Sequence, residues 1–140
     1  LNNCEFCHES HSAAANAHLK DNGHTVTCLI TNINDAPVSD KMKLLLKIAG
    51  KVQKSGHDVK QEDIDAAKSA GATDEEIHDA VLVAAAFCMY NRYVDGLGTS
   101  LPKEKNDYIP MGKRLATVGY KYPPMFLRKF VIWMIGRKNK

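Results

Sequence analysis

The segment Cys4-Glu5-Phe6-Cys7-His8-Glu9-Ser10-His11 gathers two thiols and two imidazoles at one end of the chain. On an α-helix, offsets of three, four and seven residues share one face, so Cys4, Cys7, His8 and His11 form a single stripe, which His18 extends. Three consequences follow. The two sulfurs lie one turn apart and can pair after modest adjustment. Both sit in or near a first helical turn, where the helix dipole favours a thiolate. His11, four residues after Cys7, is placed to take a proton from it directly or through water. A thiolate, a second thiol and a base together make a centre that reduces peroxides or exchanges disulfides. In such a centre the attacked peroxide leaves a sulfenic acid, which the second cysteine converts to a disulfide.

The same residues admit other chemistry. Cys4-Glu5-Phe6-Cys7-His8 fits the C-x-x-C-H pattern of covalent haem attachment, which also needs an axial ligand from elsewhere. Cys4, Cys7 and a histidine drawn from His8, His11, His18 and His24 could hold zinc, although a second ligand pair at conventional spacing is absent. Two structural cysteines beside surface histidines are the plainest alternative. A thioredoxin-like site is disfavoured because no strand precedes the motif.

The elements that must carry this stripe read almost entirely as helix. Asn2 or Asn3 is the expected N-cap of a first helix running to about Lys20, with Asn22-Gly23 as the stop. Thr25–Thr31 is the one β-branched cluster and has no evident partner strand; it reads as a short helix or an extended piece broken by Asp35-Ala36-Pro37. Ser39 is expected to cap a helix with the apolar stripe Met42, Leu45, Leu46, Ile48, Ala49 and Val52, ended by Ser55-Gly56. Residues 61–70 make a short helix closed by Gly71. Thr73-Asp74-Glu75-Glu76 is a capping box that opens the longest helix, through Ile77, Val81, Ala84, Phe87, Cys88 and Val94 to Gly96 or Gly98. The small face Ala80 and Ala84–Ala86 allows another helix to approach closely. Pro102 and Pro110 mark a loop, and two further helices are expected over about 111–120 and 124–136.

Taken together, these residues resemble the AhpD-like (alkylhydroperoxidase D / carboxymuconolactone decarboxylase) family, in its peroxidase-related branch. The resemblance rests on the helical C-x-x-C-x-x-x-H of Cys4 to His11, on Pro37-Val38-Ser39 and the amphipathic helix after it, and on the stretch from Thr73 through Asn91-Arg92-Tyr93-Val94-Asp95-Gly96-Leu97-Gly98. It covers roughly residues 1–100. It implies an all-α helical bundle that assembles as a homo-oligomer, commonly a trimer or hexamer. It implies that Cys7 is the peroxide-attacking thiol, Cys4 the resolving thiol and His11 the proton relay. It also implies recycling by thiol reductants, including lipoyl-bearing proteins, with no bound cofactor or metal. Two departures stand out. Phe6 lies between the cysteines where some members carry histidine, and the relay glutamate that members often carry about a dozen residues before the first cysteine would fall before Leu1. One domain over residues 1–140 is therefore expected, with the N-terminal part of the family fold missing before residue 1.

Bulk properties agree with one globular domain. Hydrophobic residues make up 44% of the 140 and charged residues 25%, the ordinary proportions of a protein with a packed core. The net charge of +3 does not by itself suggest a nucleic-acid partner. The charge is unevenly spread, however: residues 108–140 hold eight Lys/Arg and no acid, leaving −5 on residues 1–107. Four cysteines without a signal peptide point to a reducing, cytoplasmic setting in which thiols do chemistry rather than staple the fold. Cys28 and Cys88 read as buried small apolar residues, and Asn91, Arg92 and Asp95 as a polar network inside the fold or at a subunit interface. His57 and His78 read as surface histidines. The apolar run Phe126, Leu127, Phe130, Val131, Trp133, Met134 and Ile135, flanked by Arg128, Lys129, Arg137 and Lys138, reads as a subunit-interface segment with no membrane-spanning length.

Overall fold

A computed structural model describes residues 2–121 and 124–125, and among these residues the regular structure is helical throughout. There are six α-helices: α1 (Glu5–Leu19), α2 (His24–Thr31), α3 (Asp40–Lys54), α4 (Gln61–Ser69), α5 (Asp74–Gly96) and α6 (Tyr108–Val118). None of the described helices is long and apolar enough to cross a membrane. The expected helix over 124–136 and the apolar run Phe126–Ile135, with its basic flanks, lie outside the described residues.

Local sequence rules account for most of the boundaries. Ser39 caps α3 by accepting from the Met42 N–H at 3.2 Å. At α5 the capping box is complete: Thr73 Oγ1 accepts from the Glu76 N–H at 3.1 Å, and Glu76 Oε2 accepts from the Thr73 N–H at 2.9 Å. Glu76 also takes Lys41 Nζ at 2.6 Å, joining α5 to α3, and these bonds hold its carboxyl below the usual range. Lys51 bridges to Asp63 at 2.6 Å and joins α3 to α4. Gly71, at φ +89°, supplies the left-handed turn between α4 and α5.

Two boundaries differ from expectation, and the segment read as either helix or extended chain is helical. The N-cap of α1 is Cys4, not Asn2 or Asn3. Asn3 adopts φ +55°, a left-handed conformation that asparagine tolerates, whereas Cys4 has the extended backbone typical of an N-cap. Thr25–Thr31 is helical despite its β-branched residues. Asp21 caps it, with Oδ2 accepting from the Thr25 N–H at 2.8 Å and Oδ1 from the Gly23 N–H at 3.1 Å. Finally, α6 begins at Tyr108 rather than 111, so Pro110 lies in its first turn, where a missing N–H leaves no helical bond unmade.

The helices pack as two groups. Leu45 and Ile48 of α3, Ala67 of α4, Ala72 of the turn after it and Ile77 of α5 form the buried core, with Val52, Ile64, Ala80 and Val81 packed against it. The stripe predicted on α3 therefore divides: Leu45, Ile48 and Val52 face this core, while Leu46 and Ala49 line a cleft on its other side. The second group pairs α1 with α6 along most of their lengths. Their closest approach is at Gly112, where a β-carbon would stand 2.4 Å from the Ala13 carbonyl carbon. The cysteine–histidine stripe lies on α1, at the seam between the two groups.

Candidate functional site

Cys4 and Cys7 are nearly inaccessible, at 4% and 8% exposure, and both are free thiols. They form one wall of an open cleft of about 960 Å³ with His8 and His11. The facing walls are apolar: Val26, Leu29 and Ile30 from α2, Leu46 and Ala49 from α3, and Val83, Ala84 and Phe87 from α5. Helical spacing explains the gathering on α1, whose most extensive helix partner is α6.

Each sulfur has a distinct setting. Cys4 Sγ, at the N-cap, accepts from the Cys7 N–H at 3.4 Å. A sulfur here replaces the usual hydroxyl or carboxylate of an N-cap and receives the favourable end of the helix dipole. Cys7 lies deeper in the polar contacts of the seam. Burial, followed by the hydrogen bond and charge of Cys4, pushes its thiol up to about 11; a hydrogen bond with the Asn91 side chain opposes that shift. The position of Cys7 in the first turn thus does not give the lowered thiol expected there, because the desolvation cost of a buried charge outweighs the dipole.

His11 does not reach the Cys7 sulfur with either of its assigned hydrogen bonds. Its Nδ1 lies 2.8 Å from the Cys7 carbonyl oxygen, which can only accept, so Nδ1 carries the hydrogen. In the neutral ring Nε2 is then the acceptor, and it lies 2.5 Å from the Tyr120 hydroxyl. The ring edge packs on Phe87, centroids 4.9 Å apart at 86°, which fixes its plane. Tyr120 is 72% exposed, but its hydroxyl end points into the site. Partial burial, and after it the charges of Cys7 and Tyr90, hold the Tyr120 phenol above its ordinary value, which places the hydroxyl in electrical reach of Cys7.

Of the predicted site residues, Cys4, Cys7 and His11 converge on one cleft, whereas His18 is exposed near the far end of α1. His8 is exposed at the cleft rim. Among the described residues no three His, Cys, Asp or Glu side chains converge as a metal-ligand set. Cys28 and Cys88 are half-buried rather than fully buried, and His57 and His78 are at the surface. Tyr120 has no signal in the local sequence, being 109 residues from its partner His11. Asn91 reads from the sequence as part of an internal polar network, and the structure buries it on the wall of the same cleft, hydrogen-bonded to Asn2.

No family model matches the chain, and neither a curated protein nor a solved structure matches it.

Proposed function

We propose that this chain is a thiol-dependent oxidoreductase that reduces hydroperoxides at the Cys4–Cys7 pair, as its resemblance to the AhpD-like family implies. The observation that carries this reading is the pairing of two free thiols one helical turn apart on the wall of an open cleft, with the Cys4 sulfur accepting from the Cys7 N–H. In the first step Cys7 gives up its proton to the His11–Tyr120 pair and its sulfur attacks the outer peroxide oxygen. The O–O bond breaks, the alkoxide takes the proton and leaves as the alcohol, and Cys7 becomes a sulfenic acid. The Cys4 thiol then attacks the Cys7 sulfur, releasing water and forming the disulfide. An external dithiol, such as a lipoyl group on a partner protein, reduces that disulfide by exchange and leaves oxidised.

Assembly as a homo-oligomer belongs to the same proposal. It is supported by Leu82, Met89, Tyr90, Tyr93 and Leu97, all more than half exposed, which lie along one side of α5 opposite the core-facing Ile77 and Val81. A helix apolar on two faces needs a second partner for the outer one.

The test is peroxide consumption with a dithiol reductant by the wild type, Cys7→Ser and Cys4→Ser, followed by mass spectrometry of residues 1–20. Cys7→Ser is expected to lose turnover. Cys4→Ser is expected to react once and stop with a sulfenic acid on Cys7. Equal turnover in all three proteins, or a wild type that forms no Cys4–Cys7 disulfide with peroxide, overturns the reading.

A further inference from the structure

A neutral imidazole has one lone pair with which to accept a proton, and in His11 that lone pair is already in use. Its Nδ1 faces two acceptors: the Cys7 carbonyl at 2.8 Å and Ser10 Oγ at 3.3 Å. The Ser10 hydrogen is spent on the Phe6 carbonyl at 2.7 Å, so this oxygen too can only accept from Nδ1. Ser10 is 1% exposed, and the opposite tautomer would leave lone pairs facing one another where water has no access. Nδ1 therefore carries the hydrogen and Nε2 the lone pair. That lone pair takes the Tyr120 hydroxyl at 2.5 Å. His11 has no nitrogen left for a proton that comes from the cleft. The Tyr120 oxygen has the room that His11 lacks: a phenol that donates once still accepts, and Tyr120 makes no other hydrogen bond among the described residues.

We propose that Tyr120 is a catalytic residue of the dithiol site, the outer link of a relay in which its hydroxyl exchanges protons with the reacting atoms while His11 stores them. The inference rests on the redox reading of Cys4 and Cys7. No hydrogen bond joins the Cys7 sulfur to Tyr120, so the proton leaving Cys7 crosses the open cleft on water or on the hydroperoxide itself. As it reaches the Tyr120 oxygen, the hydrogen that this oxygen held moves to His11 Nε2. The imidazolium so formed keeps Nδ1–H on the Cys7 carbonyl and Nε2–H on the phenol oxygen. When the Cys7 sulfur takes the outer peroxide oxygen and the O–O bond breaks, the alkoxide takes the Tyr120 hydrogen and leaves as the alcohol. Nε2 then returns its proton to the phenol, and both side chains end neutral. The same hydroxyl can protonate a thiolate that leaves from a disulfide. The edge contact with Phe87 and the tilted contact with Tyr120 hold the imidazole in the plane that this transfer needs.

The experiment follows the loss of free Cys7, localised by mass spectrometry, in the wild type and Tyr120→Phe. Three reagents are used: tert-butyl hydroperoxide, hydroxyethyl disulfide and the aryl disulfide dithiobis-nitrobenzoate. The first two expel strongly basic groups that need a proton, whereas the aryl thiolate leaves without one. Tyr120→Phe is expected to slow the first two reactions about a hundredfold and to leave the third within about twofold, the signature of a lost general acid. Phenylalanine removes one oxygen from a side chain that is 72% exposed, so the fold is kept, as circular dichroism will check. Equal slowing with all three reagents is a structural effect and overturns the assignment, as does no slowing. A gain in rate also overturns it, since Tyr120 would then only cover the His11 lone pair. His11→Phe, which keeps a ring against Phe87, is expected to show the same selectivity, and the double variant to lose no more than either single one. Losses that multiply in the double variant overturn the shared relay. A wild type that reacts with both disulfides but not with the hydroperoxide sinks the peroxidase reading, and the disulfide pair then decides the relay. A wild-type Cys7 inert to all three reagents sinks both.

Discussion

A thiol held up at about 11 is almost wholly protonated at neutral pH, with about one molecule in ten thousand carrying the thiolate at pH 7. Its reactivity therefore depends on groups that help the proton leave, and Asn91, His11 and Tyr120 are the groups at hand. The pH dependence separates this setting from an ordinary cysteine. Alkylation of Cys7 is expected to rise about tenfold per pH unit through pH 10, with no plateau near the free-thiol value of about 8.5. A plateau below pH 9 would remove burial as the controlling influence. The same shift has a consequence for stability. The folded state holds the Cys7 proton more tightly than the unfolded chain does, so this contribution is fully present below the unfolded value. It is lost as pH rises through about 11, and urea midpoints should fall over that window more in the wild type than in Cys7→Ser.

Between elements, the contact that fixes the cysteine helix is its crossing with α6. The Gly112 site has no room for a methyl group, since the obstructing atoms belong to the backbone and β-carbon of Ala13 rather than to a flexible side-chain end. Gly112→Ala must separate the two helices, and a loss of about 1–3 kcal/mol is expected, as for other overpacked sites. Gly96→Ala is the control, because a β-carbon there meets nothing within 4 Å. Equal denaturation midpoints for the two variants would show that α1 and α6 do not approach as described. The displaced α1 would also carry His11 away from Tyr120, which follows α6 directly, so the site and the helix pair are expected to weaken together.

For the molecule as a whole, the seam between the α1–α6 pair and the α3–α4–α5 core is where polar and reactive groups collect. Asn2, Cys7, His11, Phe87, Cys88 and Asn91 all collect there, from two separate parts of the chain. The outer stripe of α5 lies opposite the core-facing Ile77 and Val81. If it joins copies of the chain, light scattering should give a mass that is a multiple of 15.5 kDa for the wild type, and a lower mass when Leu82 and Tyr93 are both changed to glutamate. A wild type that runs at 15.5 kDa in dilute solution contradicts the oligomer.

Much of the secondary structure follows from short-range rules that the sequence states openly. The capping box at Thr73, the Ser39 cap, the turn at Gly71 and the 3.6-residue spacing of Cys4, Cys7 and His11 each depend on residues within one or two turns of one another. The fold class and the grouping of the thiols with His11 on one helix face were legible for that reason. The features that local rules left wrong or open turn on competition: Cys4, not Asn2 or Asn3, caps α1, with Asn3 in a left-handed backbone, and Asp21 favours the helical alternative for a β-branched segment. What no local rule supplies is the burial that raises Cys7, the partner that holds His11 Nε2, and the hydrogen bond that joins Asn2 to Asn91. Those depend on contacts such as Asn2–Asn91 and His11–Tyr120, 89 and 109 residues apart in the chain, which only the tertiary structure brings together.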